Sequence, residues 1–305
     1  MAHPSHLVNR LVPKSASRDQ TDHRRIECLE DTLSLRRKRI TDNEDTMPTK
    51  LFARFREAIL AEQSSQVTKG ASGPLPPDLL LERDGTLSIY YAPCDYTNPE
   101  ARVVLLGITP GCTQASNAIQ AVRAAMASGF TGQEAMRRAM RSAGFSGKMR
   151  PALVKMLDAV GLQRHLGIAT SGELFETKAD WLQSASAIVF PVFKDGKDYN
   201  GTPEMTGHPM LTRYLTSHLA PLIETLSHAI FIPLGPKPSA ALEWVARQHG
   251  LRPARVLHGM PHPSGANAER IAYFLGEKPR EKLSAKTNPD KLDQAKREII
   301  RLLHI

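Results

Sequence analysis

Short apolar runs alternate along this chain with helical stretches, and that alternation limits the possible folds more than any other feature. Residues 102–108, Arg-Val-Val-Leu-Leu-Gly-Ile, contain consecutive aliphatic side chains with no polar residue between them. An unalternating run of this kind is typical of a strand that other layers cover on both faces. The sequence predicts further strands at residues 86–92, 187–193, 229–233 and 254–260.

Helical spacing of apolar residues marks the segments between these strands. The predicted helices span residues 51–62, 115–127, 132–142, 150–160, 210–226, 239–249 and 267–275, and residues 194–209 are predicted to form a loop. Strands joined by helices of this length run parallel in a sheet that helices cover on both sides. We therefore expect an α/β fold with three layers, α/β/α, around a central, mostly parallel sheet.

The first 47 residues differ from the rest of the chain. They carry nine Lys or Arg and eight Asp or Glu, with few aliphatic residues in a helical or alternating pattern. Such a segment buries too little surface to offset its loss of conformational entropy. We predict a disordered extension at residues 1–47 and a single domain at residues 48–305. The basic run at residues 36–39 is either a solvated cluster or a nucleic-acid or targeting segment.

The chain is basic, since 40 Lys and Arg against 31 Asp and Glu give a net charge of +9. Residues 121–165 and residues 247–305 each carry a net charge of +6. These sections form either one phosphate-binding face or two separate solvated surfaces. The first arrangement predicts a polyanionic partner.

Cysteine usage and hydropathy exclude several classes of protein. The spacing of Cys28, Cys94 and Cys112 fits neither a disulfide framework nor a paired metal site. Three thiolates also exclude an iron-sulfur cluster that needs four within one chain. The longest apolar stretches are too short to cross a bilayer, and the polar start of the chain is unlike a signal peptide. We expect a cytoplasmic protein, associated with the nucleoid if its source is bacterial.

Ligands of open parallel sheets bind beyond the carboxyl ends of the strands. The strand at residues 102–108 ends in Gly107-Ile108-Thr109-Pro110-Gly111, where two glycines let backbone amides approach a ligand closely. The strand at residues 254–260 leads into Pro261-His262-Pro263-Ser264-Gly265-Ala266-Asn267 and then into a helix, whose start favours an anion. Taken singly, each segment is also explained as an ordinary turn.

As an ordered pair, these two segments resemble the signature motifs of the uracil-DNA glycosylase superfamily. The segment Ile230-Phe231-Ile232-Pro233-Leu234-Gly235-Pro236-Lys237 is similar to that family's strand-Leu-Gly-helix segment, and Tyr90-Tyr91-Ala92-Pro93 is similar to its single-strand-selective branch. The resemblance covers about residues 85–276. It implies a DNA repair glycosylase that flips a damaged base out of DNA and hydrolyses its N-glycosidic bond without a metal or organic cofactor. We expect a monomer.

The resemblance also implies roles for residues of both motifs. His262 matches the family histidine that faces the uracil O2, where it stabilises the leaving anion. Thr109 stands where relatives carry Asp, Asn or Ala, and a hydroxyl positions water but is a poor base. The remaining residues of the first motif are expected beside the base: Gly107, Ile108, Pro110 and Gly111. The alternative is that Thr109 only bonds backbone groups of its turn.

Relatives read the base edge with an amide side chain at the end of the middle strand, but Pro191 occupies that place here. We expect the loop at residues 194–201 to fold back and supply Asn200 as the amide. In that arrangement Asp195 or Asp198 replaces the missing carboxylate. The alternative is a flexible turn, because Asp-Gly and Asn-Gly are common turn pairs.

The base also needs an aromatic partner, and no aromatic residue follows the first motif before Phe130. The candidates for stacking on the base are Phe190, Phe193 and Tyr199. The two phenylalanines have a competing role in the core.

Phosphate contacts are predicted from the loops and helix starts around this site. The predicted DNA-binding residues are Lys194, Lys197, Lys237, Ser239, Ser264, Gly265, Ala266 and Asn267. Many relatives insert a bulky apolar side chain after the His-Pro-Ser triplet, where this chain has Gly-Ala-Asn. We therefore expect weak insertion into duplex DNA and a preference for single strands or mispairs.

Two other functions compete with this one. The replaced side chains at positions 109 and 191 are compatible with a catalytically inactive member of the same fold that binds nucleic acid. A phosphate-binding hydrolase lacks support, because the chain has no GxxxxGK[ST] loop and no GxGxxG turn. The sequence leaves the excised base open: uracil alone, or a wider set with hypoxanthine, xanthine or oxidised pyrimidines.

Overall fold

The computed structural model describes residues 48–61, 75–251 and 255–304. Backbone contacts group Pro48–Ile305 into one compact unit. The extension predicted at residues 1–47 lies outside the described residues.

The strands of the described residues form two four-stranded sheets. They are β1 (Leu80–Asp84), β2 (Leu87–Tyr90), β3 (Val103–Gly107), β4 (Leu182–Ser186), β5 (Val192–Lys194), β6 (Lys197–Asp198), β7 (Ile230–Pro233) and β8 (Arg255–Val256). One sheet has the order β4-β3-β7-β8 and is parallel throughout. The other has the order β1-β2-β5-β6 and is antiparallel.

Helices precede, connect and follow the strands of the parallel sheet. They are α1 (Pro48–Ala61), α2 (Cys112–Ala127), α3 (Gly132–Ala143), α4 (Met149–Ala159), α5 (Leu162–Leu166), α6 (Pro209–Tyr214), α7 (Ala220–Thr225), α8 (Pro236–Gln248), α9 (Ala268–Phe274) and α10 (Pro289–Leu303). A π-helical turn, Leu215–Leu219, joins α6 to α7. Short 3₁₀ turns occupy Pro77–Leu79, Ser171–Phe175, Ala179–Trp181, Met205–Gly207, Gly265–Asn267 and Arg280–Lys282. Each predicted helix is present, with ends that move by a few residues.

The central strand β3 is buried on both faces, as its unalternating sequence predicts. Val104 and Leu106 belong to one apolar cluster, which includes side chains of α2, α3 and α8. Val103 and Leu105 belong to another, which includes side chains of α4, α9 and α10. Burying each such side chain contributes about 1.5–3 kcal/mol, so both helical layers hold the sheet. The predicted three-layer α/β/α class is confirmed.

The antiparallel sheet was not predicted as a sheet. Asp195 and Gly196 have φ of +51° and +72° and connect β5 to β6 in a two-residue hairpin. Asp-Gly favours such turns because both central residues adopt positive φ. The loop predicted at residues 194–209 is therefore wrong at its start, where β6 returns along β5.

The strand predicted at residues 187–193 is correct only at its last two residues, which belong to β5. β4 ends at Ser186 and β5 begins at Val192, and the residues between them cross from one sheet to the other. The first two of these, Ala187 and Ile188, still donate backbone hydrogen bonds to Gly107 and Ile108. Their apolar character therefore reflects burial at the junction of two sheets rather than one continuous strand.

The last helix, α10, was not predicted. The Asn288 side chain accepts a hydrogen bond from the Lys291 N–H at 3.1 Å and caps its start. Ile299 and Leu303 pack into the core, whereas Lys291, Arg297 and Arg301 are exposed. None of the helices in the described part of the chain has the length and apolar character that a membrane span requires.

Candidate active site

The two predicted motifs leave the same edge of the parallel sheet. The Leu234 N–H donates to the Leu106 carbonyl, and the Gly235 N–H donates to the Met260 carbonyl, both at 2.9 Å. The chain segments that end at Leu106, Leu234 and Met260 are therefore neighbours. Two strand spacings, roughly 10 Å, separate the first segment from the third. The turn at residues 107–111 and the loop at residues 261–267 consequently begin at the same carboxyl edge, with the Leu234 segment between them.

The aromatic ring of Phe145 approaches both of these loops. A β-carbon on Gly107 would lie 3.9 Å from Phe145 Cζ. The ring centroids of Phe145 and His262 are 6.5 Å apart. Phe145 is 5% exposed and belongs to the core, so it is not a free stacking platform.

Phe145 reaches this place through an unusual backbone. Its φ of +48° lies in the left-handed region, which is costly for an aromatic residue. The preceding Gly144 packs so closely on β4 that a β-carbon would lie 2.4 Å from Ser184 Oγ. Sequence reasoning did not find Phe145, and the Gly144 that directly follows α3 is the signal that could have drawn attention to it.

His262 is held in one defined state. The Ser264 N–H donates to His262 Nδ1 at 3.3 Å, so Nδ1 is the acceptor and Nε2 carries the proton. Burial lowers the pKa of His262 below its usual value, because desolvation disfavours the charged ring. A neutral His262 at pH 7 therefore has one N–H to offer to a ligand.

Thr109 makes two backbone hydrogen bonds outside its own turn. Its hydroxyl donates to the Phe190 carbonyl at 2.7 Å and accepts from the Val192 N–H at 3.1 Å. The carbonyls of Gly107 and Ile108 accept from the same crossing segment. Thr109 thus fixes the turn of the first motif against the start of β5. Pro110 is buried and Gly111 is half-buried within this turn.

Asp198 lies against the first motif. Its Oδ1 accepts from the Cys112 N–H at 2.8 Å, at the first residue of α2. A β-carbon on Gly111 would lie 3.1 Å from Asp198 Oδ2. The β5-β6 hairpin therefore folds back onto the turn, as the sequence predicts, and places an exposed carboxylate there. Asp195 instead occupies the hairpin turn.

The other predicted side chains of this segment have partners of their own. Asn200 is exposed, and its Oδ1 accepts from the Thr202 N–H at 3.2 Å. Tyr199 is 5% exposed, and its hydroxyl donates to the Pro203 carbonyl. The roles of both residues toward a base stay predictions.

Phe190 and Phe193 belong to the core. Phe190 has no exposed surface, and Tyr91, Tyr214 and His218 surround its ring. Phe193 is likewise fully buried and packs edge-on against Tyr90. Enclosed rings cannot stack on a base without rearrangement, so we correct the expectation that Phe190 or Phe193 contacts one.

The predicted phosphate contacts fall into two groups. Lys194 and Lys197 face each other in the β5-β6 register, and Gly265 and Ala266 are exposed at the start of the turn before α9. Lys237, in contrast, forms an ion pair with Glu204. This pairing reduces the positive charge that Lys237 presents to DNA.

Ser264 and Asn267 form a small network at the second motif. The Asn267 amide donates to Ser264 Oγ at 3.2 Å and accepts from Arg270 Nη1 at 2.6 Å. These contacts order the backbone that donates to His262. Ser239 lies half-buried in the first turn of α8.

Among the residues that the structure describes, no three His, Cys, Asp or Glu side chains come together where they could hold a metal ion.

The fold and the carboxyl edge of the parallel sheet define an α/β/α protein with a candidate ligand site between a glycine-rich turn and a histidine-bearing loop. The chain is similar to the uncharacterized protein YoxB of Bacillus subtilis (strain 168), with 36% identity over 217 residues that cover 70% of this chain and 84% of that protein. The chain belongs to the same family as YoxB. No protein-family model and no solved structure matches it.

Proposed function

We propose that the protein is a DNA glycosylase that hydrolyses the N-glycosidic bond of uracil, or of a related damaged base, and leaves an abasic site. The observation that carries the proposal is the common edge of the two motifs, with Phe145 close to both Gly107 and His262. The order of the motifs along the chain resembles the uracil-DNA glycosylase superfamily. Their adjacency supports one site that both motifs share.

His262 stabilises the leaving base in this proposal. Cleavage leaves the electron pair of the glycosidic bond on the base, which departs as an anion, while the sugar gains oxocarbenium character. The Nε2–H of a neutral His262 donates to the carbonyl oxygen on which this charge develops. Burial of the ring strengthens such a hydrogen bond, because water does not compete for the same oxygen.

Asp198 takes the part of the carboxylate that the first motif lacks. One of its oxygens is engaged by the Cys112 N–H at the start of α2, and the other lies next to Gly111. We assign this second oxygen to the attacking water, whose proton it accepts as the water oxygen bonds to the sugar carbon. Thr109 acts on the reaction only by holding the turn.

DNA binding follows from the charge around this edge. Lys194 and Lys197 on the hairpin, with the exposed backbone at Gly265 and Ala266, are the proposed phosphate contacts. Affinity should fall steeply with added salt, because each neutralised phosphate releases counterions. The short Gly-Ala-Asn sequence after Ser264 favours single-stranded or mispaired DNA, since no bulky side chain can fill a gap in the duplex.

A base-release assay tests the proposal. Full-length protein is incubated with oligonucleotides that carry one uracil, hypoxanthine, xanthine or oxidised pyrimidine, in single strands and in duplexes, and alkali then cleaves abasic sites. We expect release of at least uracil, and His262→Gln should reduce its rate by about 10²–10³-fold, as expected for loss of one donor to a developing anion. His258→Gln is the matched control, because His258 is exposed and its ion-pair partner among the described residues is Glu243.

The inactive nucleic-acid-binding alternative gives a different result in the same experiment. It predicts salt-sensitive DNA binding with no base release from any substrate. That outcome, or equal activity of His262→Gln and His258→Gln, contradicts the glycosylase proposal.

A further inference from the structure

A cavity of about 410 Å³ lies at the opposite, amino-terminal edge of the parallel sheet. It is lined by Arg102, His165, Leu166, His228, Ile230 and Arg255. Arg102 directly precedes β3, Ile230 begins β7 and Arg255 begins β8, so the cavity lies where three neighbouring strands start. The candidate active site is at the other end of these strands, roughly 15 Å away for strands of about five residues.

The described lining of the cavity is cationic. Neither Arg102 nor Arg255 forms an ion pair with any carboxylate of the described residues. Two histidines line the cavity, and no Asp or Glu of the part of the chain that the structure describes does so. Two guanidinium groups at one partly enclosed site repel each other, and an anion between them removes that repulsion.

Each guanidinium is oriented by a neighbouring ring. The Arg102 guanidinium lies over the Trp181 ring at 3.8 Å, a stacking that leaves its in-plane N–H donors available. Arg255 Nη1 donates to His165 Nε2 at 3.2 Å. His165 Nδ1 lies 2.7 Å from the Leu303 carbonyl, which only accepts, so Nδ1 carries the proton and Nε2 is free to accept from Arg255. The ring contact of Arg102 and the hydrogen bond of Arg255 thus restrict both guanidinium groups before any ligand arrives.

We propose that this cavity binds a phosphomonoester dianion between Arg102 and Arg255, with Leu166 and Ile230 in contact with the apolar part of the ligand. Planar guanidinium groups match phosphate oxygens in pairs and give bidentate hydrogen bonds. The volume lies within the ~300–1,000 Å³ range of small-molecule sites and exceeds the needs of a lone phosphate ion. The phosphate belongs either to a free mononucleotide or to the 5′-phosphorylated end of a DNA strand. The site does not depend on the glycosylase proposal.

Phenyl phosphate is the probe, because it combines a phosphomonoester with an apolar ring and contains no nucleobase. Calorimetric titration of the full-length protein should show one binding site, and phenol should show none. Arg255→Gln should weaken binding about tenfold or more, since it removes charge-assisted hydrogen bonds. Arg255→Lys keeps the charge but lacks the paired N–H donors of the guanidinium group, so it should retain part of the affinity.

The matched control is Arg247→Gln, which makes the same change in net charge at an exposed position outside the cavity and should leave binding unchanged. Competition then distinguishes the two sources of the phosphate. Adenosine 5′-monophosphate and a 5′-phosphorylated oligonucleotide are each added to the complex with phenyl phosphate, and the unphosphorylated oligonucleotide is the negative control. Displacement by either phosphorylated competitor supports the proposal. Failure of phenyl phosphate to bind at millimolar concentration, equal binding by Arg255→Gln and Arg247→Gln, or displacement by neither competitor overturns it.

Discussion

The Thr109 hydroxyl joins the two sheets of the protein by donating to the Phe190 carbonyl at 2.7 Å. Thr109 follows the central strand of the parallel sheet, and Phe190 precedes the strand β5 of the antiparallel sheet. The same hydroxyl accepts from the Val192 N–H, so one side chain satisfies a donor and an acceptor of the crossing segment. The turn of the first motif is therefore positioned by the junction between the sheets.

Removing this hydroxyl should destabilise the protein. Thr109→Val keeps the shape of the side chain but leaves the Val192 N–H and the Phe190 carbonyl without their partner, at a cost of about 1–3 kcal/mol for each unsatisfied group. Thr109→Ser keeps the hydroxyl, so its free energy of unfolding should lie within about 1 kcal/mol of the wild-type value. Urea unfolding followed by circular dichroism measures both changes. Equal midpoints for Thr109→Val and Thr109→Ser would show that the bridge does not matter.

Much of the fold follows from local sequence patterns. The unalternating run of β3 and the helical spacing of α2, α3 and α4 depend on neighbours in sequence, so the prediction located them. The crossing segment at residues 187–191 has the same apolar composition as a buried strand. Its burial arises from contacts with both sheets, and such long-range contacts leave no local pattern.

The candidate site was predicted only in part for a related reason. The motifs at Thr109 and His262 lie at strand ends, which topology brings to one edge. Phe145 reaches the same edge because of a left-handed φ and the close approach of Gly144 to Ser184, and neither feature has a periodic signature. The role of Asp198 depends on a hairpin that returns to α2. The sequence suggested this return only as one of two alternatives, the other being a flexible turn.

The approach of Gly144 to β4 should be sensitive to a single added carbon. A β-carbon at position 144 would lie 2.4 Å from Ser184 Oγ and 2.6 Å from Ser184 Cβ, so Gly144→Ala should cost about 1–3 kcal/mol of stability. Adding Ser184→Gly removes both atoms and should restore part of the loss. Gly207→Ala is the control, because its nearest contact would be at 3.9 Å. Thermal unfolding of the wild type and the three variants measures these differences in stability. Equal losses of stability for Gly144→Ala and Gly207→Ala would contradict the packing described.

The two aspartates of the hairpin should differ in their effect on base release. Asp198→Asn keeps an oxygen that accepts from the Cys112 N–H but loses the negative charge, so kcat should fall by about 10²–10⁴-fold with little change in KM. Asp195→Asn changes the same charge at the hairpin turn and should remain within about twofold of wild type. Single-turnover rates on a uracil oligonucleotide measure the contrast. A similar rate for the two variants would remove Asp198 from the reaction.

His262 should remain neutral at pH 7, with its proton on Nε2. Burial lowers its pKa, so between that lowered value and the ordinary value of about 6.5 the unfolded chain binds more protons than the folded one. The contribution of His262 to stability therefore decreases as pH falls through this window. Two-dimensional ¹H–¹⁵N spectra of the histidine rings, assigned with His262→Gln, report both tautomer and pKa. A ring already charged at pH 7 would contradict the assigned state.

Asp95 is a buried carboxyl group whose pKa is raised, whereas that of His262 is lowered. It is 7% exposed, and the Tyr91 hydroxyl lies 3.4 Å from its Oδ1. Its other oxygen, Oδ2, has no hydrogen-bond partner among the described residues. Burial raises the pKa of Asp95 to about 8, although its hydrogen bonds act in the other direction. The folded protein therefore holds a proton at pH 7 that the unfolded chain releases near pH 4.

Replacing Asp95 with Asn should make the protein more stable at neutral pH. The group favours folding fully below about pH 3.9, and this stability is lost as pH rises toward 8, because the folded state binds the extra proton in that range. Asp95→Asn removes this loss, so its advantage in free energy of unfolding should grow by up to about 1.4 kcal/mol per pH unit between pH 5 and pH 8. Urea unfolding at several pH values measures the slope, with the exposed Asp78→Asn as the control that should show none. An advantage that shrinks with rising pH would mean that Asp95 is ionised in the folded protein.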